Sequence, residues 1–321
     1  MPDRKMVVVL PDLEDFLIEK IRGAAAGHGF SVSFFTSDRE SLDALKDAEV
    51  LLGQSPLLVQ NAPRLKWVNT PSAGVEHLLQ PGLFASPAAI LTNSSGAYGV
   101  TISEHVIMVT LEILRRQQEY TEIIRSRQWI RNLPIRSLRD ARITLLGTGD
   151  IGQETALRLR AFGPASLVGI NRGGSNPGGL FDRVETREAL PRVLPETDLL
   201  ICSLPGVPDT RGMLSAAMLA LLPEGAVVVN VGRGALIDQF ALETELRAGR
   251  LWAALDVFAQ EPLPPDDSLW TCPHLLITPH SSGNMTLPYT RKRIVELFLE
   301  NLDRYCAGEP LLRRIDPEKG Y

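Results

Sequence analysis

The sequence predicts an α/β protein made of two parallel-sheet units, the second a doubly wound dinucleotide fold. Three observations carry that expectation. Short apolar runs alternate with helix-patterned stretches along nearly all of the 321 residues. The alternation comes in two series, with a long helical stretch between them. The second series opens on a glycine-rich turn placed between a strand pattern and a helix pattern. Continuously apolar runs separated by helices are the mark of strands buried on both faces of a parallel sheet.

In the first series, residues 6–10, 31–35, 50–52 and 65–69 read as strands, and residues 13–26 and 41–46 as helices. Residues 102–124 follow as one long helix, with Ser103 as a cap and apolar residues recurring at Val106, Val109, Ile113 and Leu114. The second series has six strand-like runs, at 143–146, 167–170, 199–204, 227–231, 253–257 and 275–278. A last helix, 289–304, stands apart from that unit.

Length and composition fit this picture. Hydrophobic residues make up 44% and charged residues 22% of the chain, enough apolar side chains for two ordinary cores. The formal net charge of −5 argues against a nucleic-acid partner, which calls for a basic surface. No run is long enough for a membrane span, and no signal-peptide pattern precedes the first strand. Cys202, Cys272 and Cys306 are odd in number and scattered, which suits free thiols in a cytoplasmic protein. Metal-ligand spacings such as His-Glu-x-x-His are missing, so no metal is expected.

The glycine-rich turn is Gly147-Thr148-Gly149-Asp150-Ile151-Gly152. Gly147 permits the tight turn, Gly149 lets a pyrophosphate approach the backbone, and Gly152 lets helix and strand pack closely. Ala156, Leu159 and Phe162 follow at helical spacing, so a helix N-terminus faces the phosphates. A dinucleotide site is therefore expected here. NAD-selective sites of this kind usually end the second strand on an acid that binds the ribose hydroxyls. Here that strand runs into Asn171-Arg172-Gly173. Arg172 is suited to a 2′-phosphate, so NADP(H) is expected to be preferred and NAD(H) accepted.

Three further motifs each end a strand pattern, where ligands of open α/β sheets collect. Residues 227–234 read Val-Val-Val-Asn-Val-Gly-Arg-Gly, placing Arg233 between two glycines, where a guanidinium can hold a carboxylate bidentately. Residues 255–264 contain Asp256 at the strand end and Glu261 on a proline-rich loop. Residues 277–283 read Ile-Thr-Pro-His-Ser-Ser-Gly, with His280 available for acid/base work. Taken singly, Arg233 reads equally well as a surface arginine in a turn, and Glu261 as a solvated acid.

Together, and in this order, the motifs resemble those of the D-isomer-specific 2-hydroxyacid dehydrogenases. The segments Pro71-Ser72-Ala73-Gly74-Val75-Glu76-His77 and Ser103-Glu104-His105 add to the likeness. The Arg-Gln-Trp segment ending at Trp129 and the C-terminal Asp-Pro-Glu-Lys-Gly-Tyr resemble the glyoxylate/hydroxypyruvate reductase branch. The resemblance implies two Rossmann-like domains: a flavodoxin-like substrate domain at 1–97 and 285–321, split around a coenzyme domain at 98–284. It implies a hydride transfer between a nicotinamide and a short 2-keto or 2-hydroxy acid. Arg233 would hold the substrate carboxylate, His280 would protonate the keto oxygen, and Glu261 would orient the imidazole. Backbone N–H groups of Ala73, Gly74 and Val75 would meet the carboxylate. Coenzyme contacts would come from residues 147–152, Asn171, Arg172, Leu204, Pro205, Thr210, Val231, Gly232, Asp256 and Gly283. A homodimer is implied, formed through the long helix, with Trp129 reaching the neighbouring subunit's substrate. Two other functions share the pattern. One is a 3-phosphoglycerate dehydrogenase; the other is a coenzyme-sensing protein like the corepressor relatives, which would bind dinucleotide yet turn over slowly. Formate dehydrogenase is disfavoured, because that relative has glutamine where Glu261 stands.

Overall fold

The computed structural model describes residues 4–176 and 178–317. The chain forms two compact units, one made of residues up to Ala97 together with those from Met285 onward, the other of Tyr98–Asn284.

The first unit carries β1 (Arg4–Val9), α1 (Asp15–Gly27), β2 (Phe30–Phe35), α2 (Asp38–Leu45), β3 (Ala48–Leu52), α3 (Pro56–Gln60), β4 (Trp67–Asn69) and β5 (Ile90–Thr92). Its five strands lie in the order β2-β1-β3-β4-β5, all parallel, which is the flavodoxin-like winding. Helix α1 buries Leu17, Ile21 and Ala25, a stripe repeating every fourth residue. The C-terminal helix Pro288–Ala307 starts on a proline at its first turn and stops at Gly308, whose φ of 71° suits a left-handed cap. It buries Ile294, Val295, Phe298 and Leu302, and Phe298 stacks on Trp67 with ring centroids 5.0 Å apart. Neither α3 nor β5 is legible in the sequence pattern. Each is too short to establish a period, and β5 is only three residues long.

The second unit carries α4 (Gly99–Leu114), α5 (Gln117–Arg125), β6 (Arg142–Leu146), α6 (Asp150–Arg160), β7 (Ser166–Ile170), β8 (Arg183–Glu185), β9 (Leu199–Cys202), β10 (Val227–Asn230), β11 (Trp252–Leu255) and β12 (Leu275–Ile277). Its sheet runs β12-β11-β10-β9-β6-β7-β8, and every pairing is parallel. The winding reverses between β6 and β9, the switch point where such sheets take their ligand.

Four sequence expectations are corrected here. The sheet has seven strands rather than six. The extra one, β8, is an Arg-Val-Glu edge strand beside β7, too short and too polar to signal itself. The helix expected over 102–124 is two helices, broken at Arg115–Arg116, with Arg116 at φ 57°. No glycine or proline marks the break. A contact distant in sequence lies at the break, where the Arg116 guanidinium sits 4.8 Å from the Trp252 ring centroid, and a local one joins its Nε to Glu119 at 2.6 Å. Ser103 does not cap this helix. It lies inside α4 and donates its hydroxyl to the Val100 carbonyl at 2.8 Å. Ala156 and Leu159 are buried on α6 as their spacing implies, whereas Phe162 falls past the helix end and is 37% exposed. No helix among the described residues is long and apolar enough to cross a membrane.

Candidate active site

The glycine-rich turn joins β6 to α6, directly at the switch point. Gly147 has φ of 105°, a conformation side chains avoid, and a Cβ there would press on the Ser203 hydroxyl at 2.7 Å. At Gly152 a Cβ would lie 2.2 Å from the Gly147 carbonyl oxygen, so helix and turn touch backbone to backbone. At Gly149 nothing lies within 4 Å. Two positions are thus closed by packing, while the one meant for the pyrophosphate faces open space. These residues fit a dinucleotide.

Asp150 opens α6, yet its carboxyl group is turned aside. A Cβ on Gly99 would sit 2.7 Å from all three of its carboxyl atoms. The acid therefore lies against the first turn of α4, which has no side-chain cap of its own. Negative charge is favourable at a helix N-terminus and unfavourable beside a pyrophosphate, so this orientation resolves a conflict in the motif. Beyond β7, Asn171 donates its side-chain amide to the Thr148 hydroxyl at 2.7 Å and to the Ser175 carbonyl at 2.8 Å. Arg172 follows it, exposed.

Arg233, Glu261 and His280 come from the carboxyl ends of β10, β11 and β12, three strands adjacent in the sheet. Asn230 ends β10 and shapes the arginine's turn, donating to the Arg233 carbonyl at 3.0 Å and accepting from the Gly232 amide at 3.1 Å. The Arg233 stem passes over Gly206, where a Cβ would meet its Cγ at 2.9 Å. Its Nη1 donates to the Gly232 carbonyl at 2.8 Å. Gly234 then lies so close to the backbone of Phe258 that any Cβ would overlap it. That contact joins the arginine's turn to the loop carrying Glu261.

Glu261 accepts from the Phe258 amide through Oε1 at 2.9 Å, and its Oε2 lies 2.6 Å from His280 Nδ1. A carboxylate can only accept, so Nδ1 carries the hydrogen and Nε2 is the nitrogen left for chemistry. His280 has φ of 50°, and its backbone amide bonds to the carbonyls of Asp256 and Thr278 at 2.9 and 3.0 Å.

Asp256 is 1% exposed and works from beneath this loop. It accepts from the Thr278 hydroxyl at 2.6 Å and from the amides of Ser281 and Ser282 at 2.9 and 3.1 Å. Burial alone would raise its pKa. The donors from Ser282, Thr278 and Ser281 outweigh burial and hold the carboxyl below its usual range. Thr278 also meets Nε2 of His105 on α4 at 3.3 Å. Burial lowers the His105 pKa, against the pull of Asp256 and Glu112. Asp256 thus ties the His280 loop together.

The remaining expected contacts divide clearly. Leu204 and Pro205 follow β9, and Gly232 packs on Leu204, since a Cβ there would lie 2.6 Å from the Leu204 carbonyl oxygen. Val231 continues the ladder, donating to Cys202 at 3.0 Å. Thr210 pins its own loop, donating to the Pro205 carbonyl at 2.7 Å. Gly283 is a packing position against Ile102 of α4, 2.8 Å from where its Cβ would be. Trp129 is 83% exposed. Ala73, Gly74 and Val75 belong to the first unit and follow β4. There the Ser72 hydroxyl donates to the Gly74 carbonyl at 2.7 Å, and Asn93 holds the Ala73 carbonyl at 2.7 Å. No cluster of three metal-ligating side chains occurs among the described residues. Asn230, Thr278 and Gly206 escaped the sequence reading. The available signal was a polar residue closing an apolar run, as Asn230 does after three valines.

A seven-stranded parallel sheet with a glycine-lined first crossover, and an imidazole–carboxylate pair at its carboxyl edge, defines a dinucleotide-dependent oxidoreductase. Residues 107–282 match the family model described as the D-isomer specific 2-hydroxyacid dehydrogenase, NAD binding domain. The chain belongs to that family and is an NAD(P)-dependent 2-hydroxyacid oxidoreductase. It is 31% identical to a crystallised D-isomer specific 2-hydroxyacid dehydrogenase family protein from Aeromonas salmonicida, with a TM-score of 0.86 over 98% of this chain and 99% of that one. A glyoxylate/hydroxypyruvate reductase A from Salmonella newport is 29% identical over 277 residues, 84% of this chain and 86% of the relative. The NADPH-dependent glyoxylate/hydroxypyruvate reductase of Sinorhizobium meliloti, solved with NADP and sulfate, is 29% identical with a TM-score of 0.80, covering 99% of this chain and 100% of its own.

Proposed function

We propose that this protein reduces a short 2-keto acid, glyoxylate or hydroxypyruvate, using NADPH, and that it acts as a cytoplasmic homodimer. The observation that carries the reaction is the 2.6 Å contact between His280 Nδ1 and Glu261, on the loops after β12 and β11, with Arg233 on the turn after the adjacent β10. The Tyr98–Asn284 unit is then the coenzyme domain and the other the substrate domain. The dinucleotide, when bound, supplies the hydride. The Arg233 guanidinium holds the substrate carboxylate through paired N–H donors and draws electron density toward the keto oxygen. His280 delivers a proton from Nε2 to that oxygen, and Glu261 keeps the imidazole aimed and shares the charge of its protonated form. The two named reductases support the substrate choice. The test is the loss of reduced-nicotinamide absorbance across a panel of 2-keto acids with each coenzyme. Turnover of 3-phosphohydroxypyruvate alone would make the chain a phosphoglycerate dehydrogenase. Tight coenzyme binding with negligible turnover would make it a sensor.

NADPH preference rests on Arg172 and on the neutral Asn171 before it. A charge-assisted hydrogen bond is worth about 1.5–3 kcal/mol, roughly ten- to a hundredfold in affinity. Arg172→Ala should therefore lose that much catalytic efficiency with NADPH and little with NADH. A parent protein that already favours NADH refutes this part.

The dimer reading rests on α5, which buries none of its residues within its own chain. Met108, Ile124, Trp129, Ile130 and Ile135 on and after these helices are 47–83% exposed, apolar side chains that a second copy would cover. Trp129 is assigned to the neighbouring subunit's substrate site. Light scattering should give twice the 35.2 kDa chain mass, and a monomer at working concentration removes both the dimer and the Trp129 assignment.

A further inference from the structure

The loop after β7 is built around an amide. The Asn171 side chain has two N–H donors and one strong acceptor, and each is used. One N–H goes to the Thr148 hydroxyl at 2.7 Å, the other to the Ser175 carbonyl at 2.8 Å, and Oδ1 accepts from the Gly173 amide at 3.0 Å. Thr148 is the second residue of the glycine-rich turn and is 8% exposed. Its methyl group fills the space over Gly169, where a Cβ would lie 2.6 Å away. Its carbonyl accepts from Gln153 of α6 at 3.1 Å, and Gln153 in turn packs on Gly178, past the far end of the loop. The 171–175 segment is thus fastened to the phosphate turn from one side by Asn171, and the chain just beyond it from the other by Gln153.

An aspartate at position 171 cannot make this arrangement. The Thr148 hydroxyl could turn to donate to it, but the Ser175 carbonyl can only accept, and the aspartate would set a carboxylate oxygen 2.8 Å from that carbonyl oxygen. Two acceptors at that distance repel, and the loop would open. The acid that commonly selects NADH is therefore incompatible with how this loop folds, apart from any repulsion of a 2′-phosphate.

We propose that Asn171 sets coenzyme choice through loop architecture: its amide closes residues 171–175 onto Thr148, excluding the NADH-selecting acid and pre-forming the backbone around Arg172 that receives a 2′-phosphate. Asn171 and Thr148 are positioning residues, and Arg172 is the contact. The proposal rests on the NADPH reading above.

Thr148→Val separates geometry from charge, because it removes the hydroxyl, keeps the shape and leaves Asn171 and Arg172 in place. The probes are adenosine 2′,5′-bisphosphate and 5′-AMP, titrated by calorimetry, together with hydrogen exchange of the 171–176 segment in coenzyme-free protein. Losing one neutral hydrogen bond should weaken bisphosphate binding about three- to tenfold and leave 5′-AMP within about twofold. Exchange at Gly173 should quicken. Asn171→Asp should weaken the bisphosphate further. Equal weakening of both ligands by Thr148→Val, or unchanged binding and exchange, overturns the proposal while the NADPH reading stands. A parent protein that binds the two ligands equally overturns the NADPH reading and the proposal with it.

Discussion

His280→Ala is expected to lower turnover by roughly two to four orders of magnitude, the usual share of general acid/base catalysis. The side chain is half exposed and its rotamer is set by one contact, the 2.6 Å bond to Glu261, so its removal leaves no cavity to collapse. The loop itself is held by backbone bonds from His280 to Asp256 and Thr278, which alanine keeps. Coenzyme affinity and thermal stability should therefore stay near parent values while keto-acid reduction is nearly lost. Added imidazole should restore part of the rate, since the vacated space faces outward. Near-parent turnover in a folded variant would remove His280 from the chemistry.

Arg233→Lys carries the second large effect. Charge is retained, but the planar fork is not, and paired recognition of a carboxylate depends on the fork. Arg233 is also positioned by its own guanidinium, through the bond from Nη1 to the Gly232 carbonyl and the stem lying across Gly206. Loss of one or two charge-assisted bonds should cut catalytic efficiency toward keto acids by roughly a hundredfold or more. Most of the loss should fall on KM, and coenzyme dissociation should barely move. Collapse of coenzyme affinity with unchanged substrate saturation would place Arg233 in the coenzyme site instead.

Much of the fold was legible because its causes are local. The apolar runs that become β6, β9 and β10 are long enough to signal burial on both faces, and the glycines of 147–152 report backbone demands that no other residue meets. What escaped has causes far along the chain. The break at Arg116 lies against Trp252, and β8 exists because β7 offers it an edge. The candidate site shows the same division. Arg233 and His280 stand out beside glycines and after strands, but nothing near Asp150 foretells that its carboxyl group turns to Gly99. Asp256 reads as a coenzyme contact by resemblance, and nothing in its local sequence announces a second task. Its bonds to Thr278, Ser281 and Ser282 make it the fastening of the His280 loop.

The C-terminal helix has a consequence for how the protein is made. Phe298 supplies the stacking partner of Trp67, and Tyr305 bonds to Glu49, so the first unit is finished by chain synthesised after the inserted unit. The inserted unit is complete once Asn284 has left the ribosome and can fold as a contiguous piece. The segment that ends at Ala97 must wait through that interval with the indole of Trp67 uncovered. Birth order and completion order are therefore reversed for this chain, and nascent chains stalled before Pro288 are the stage at which a chaperone would find most to hold.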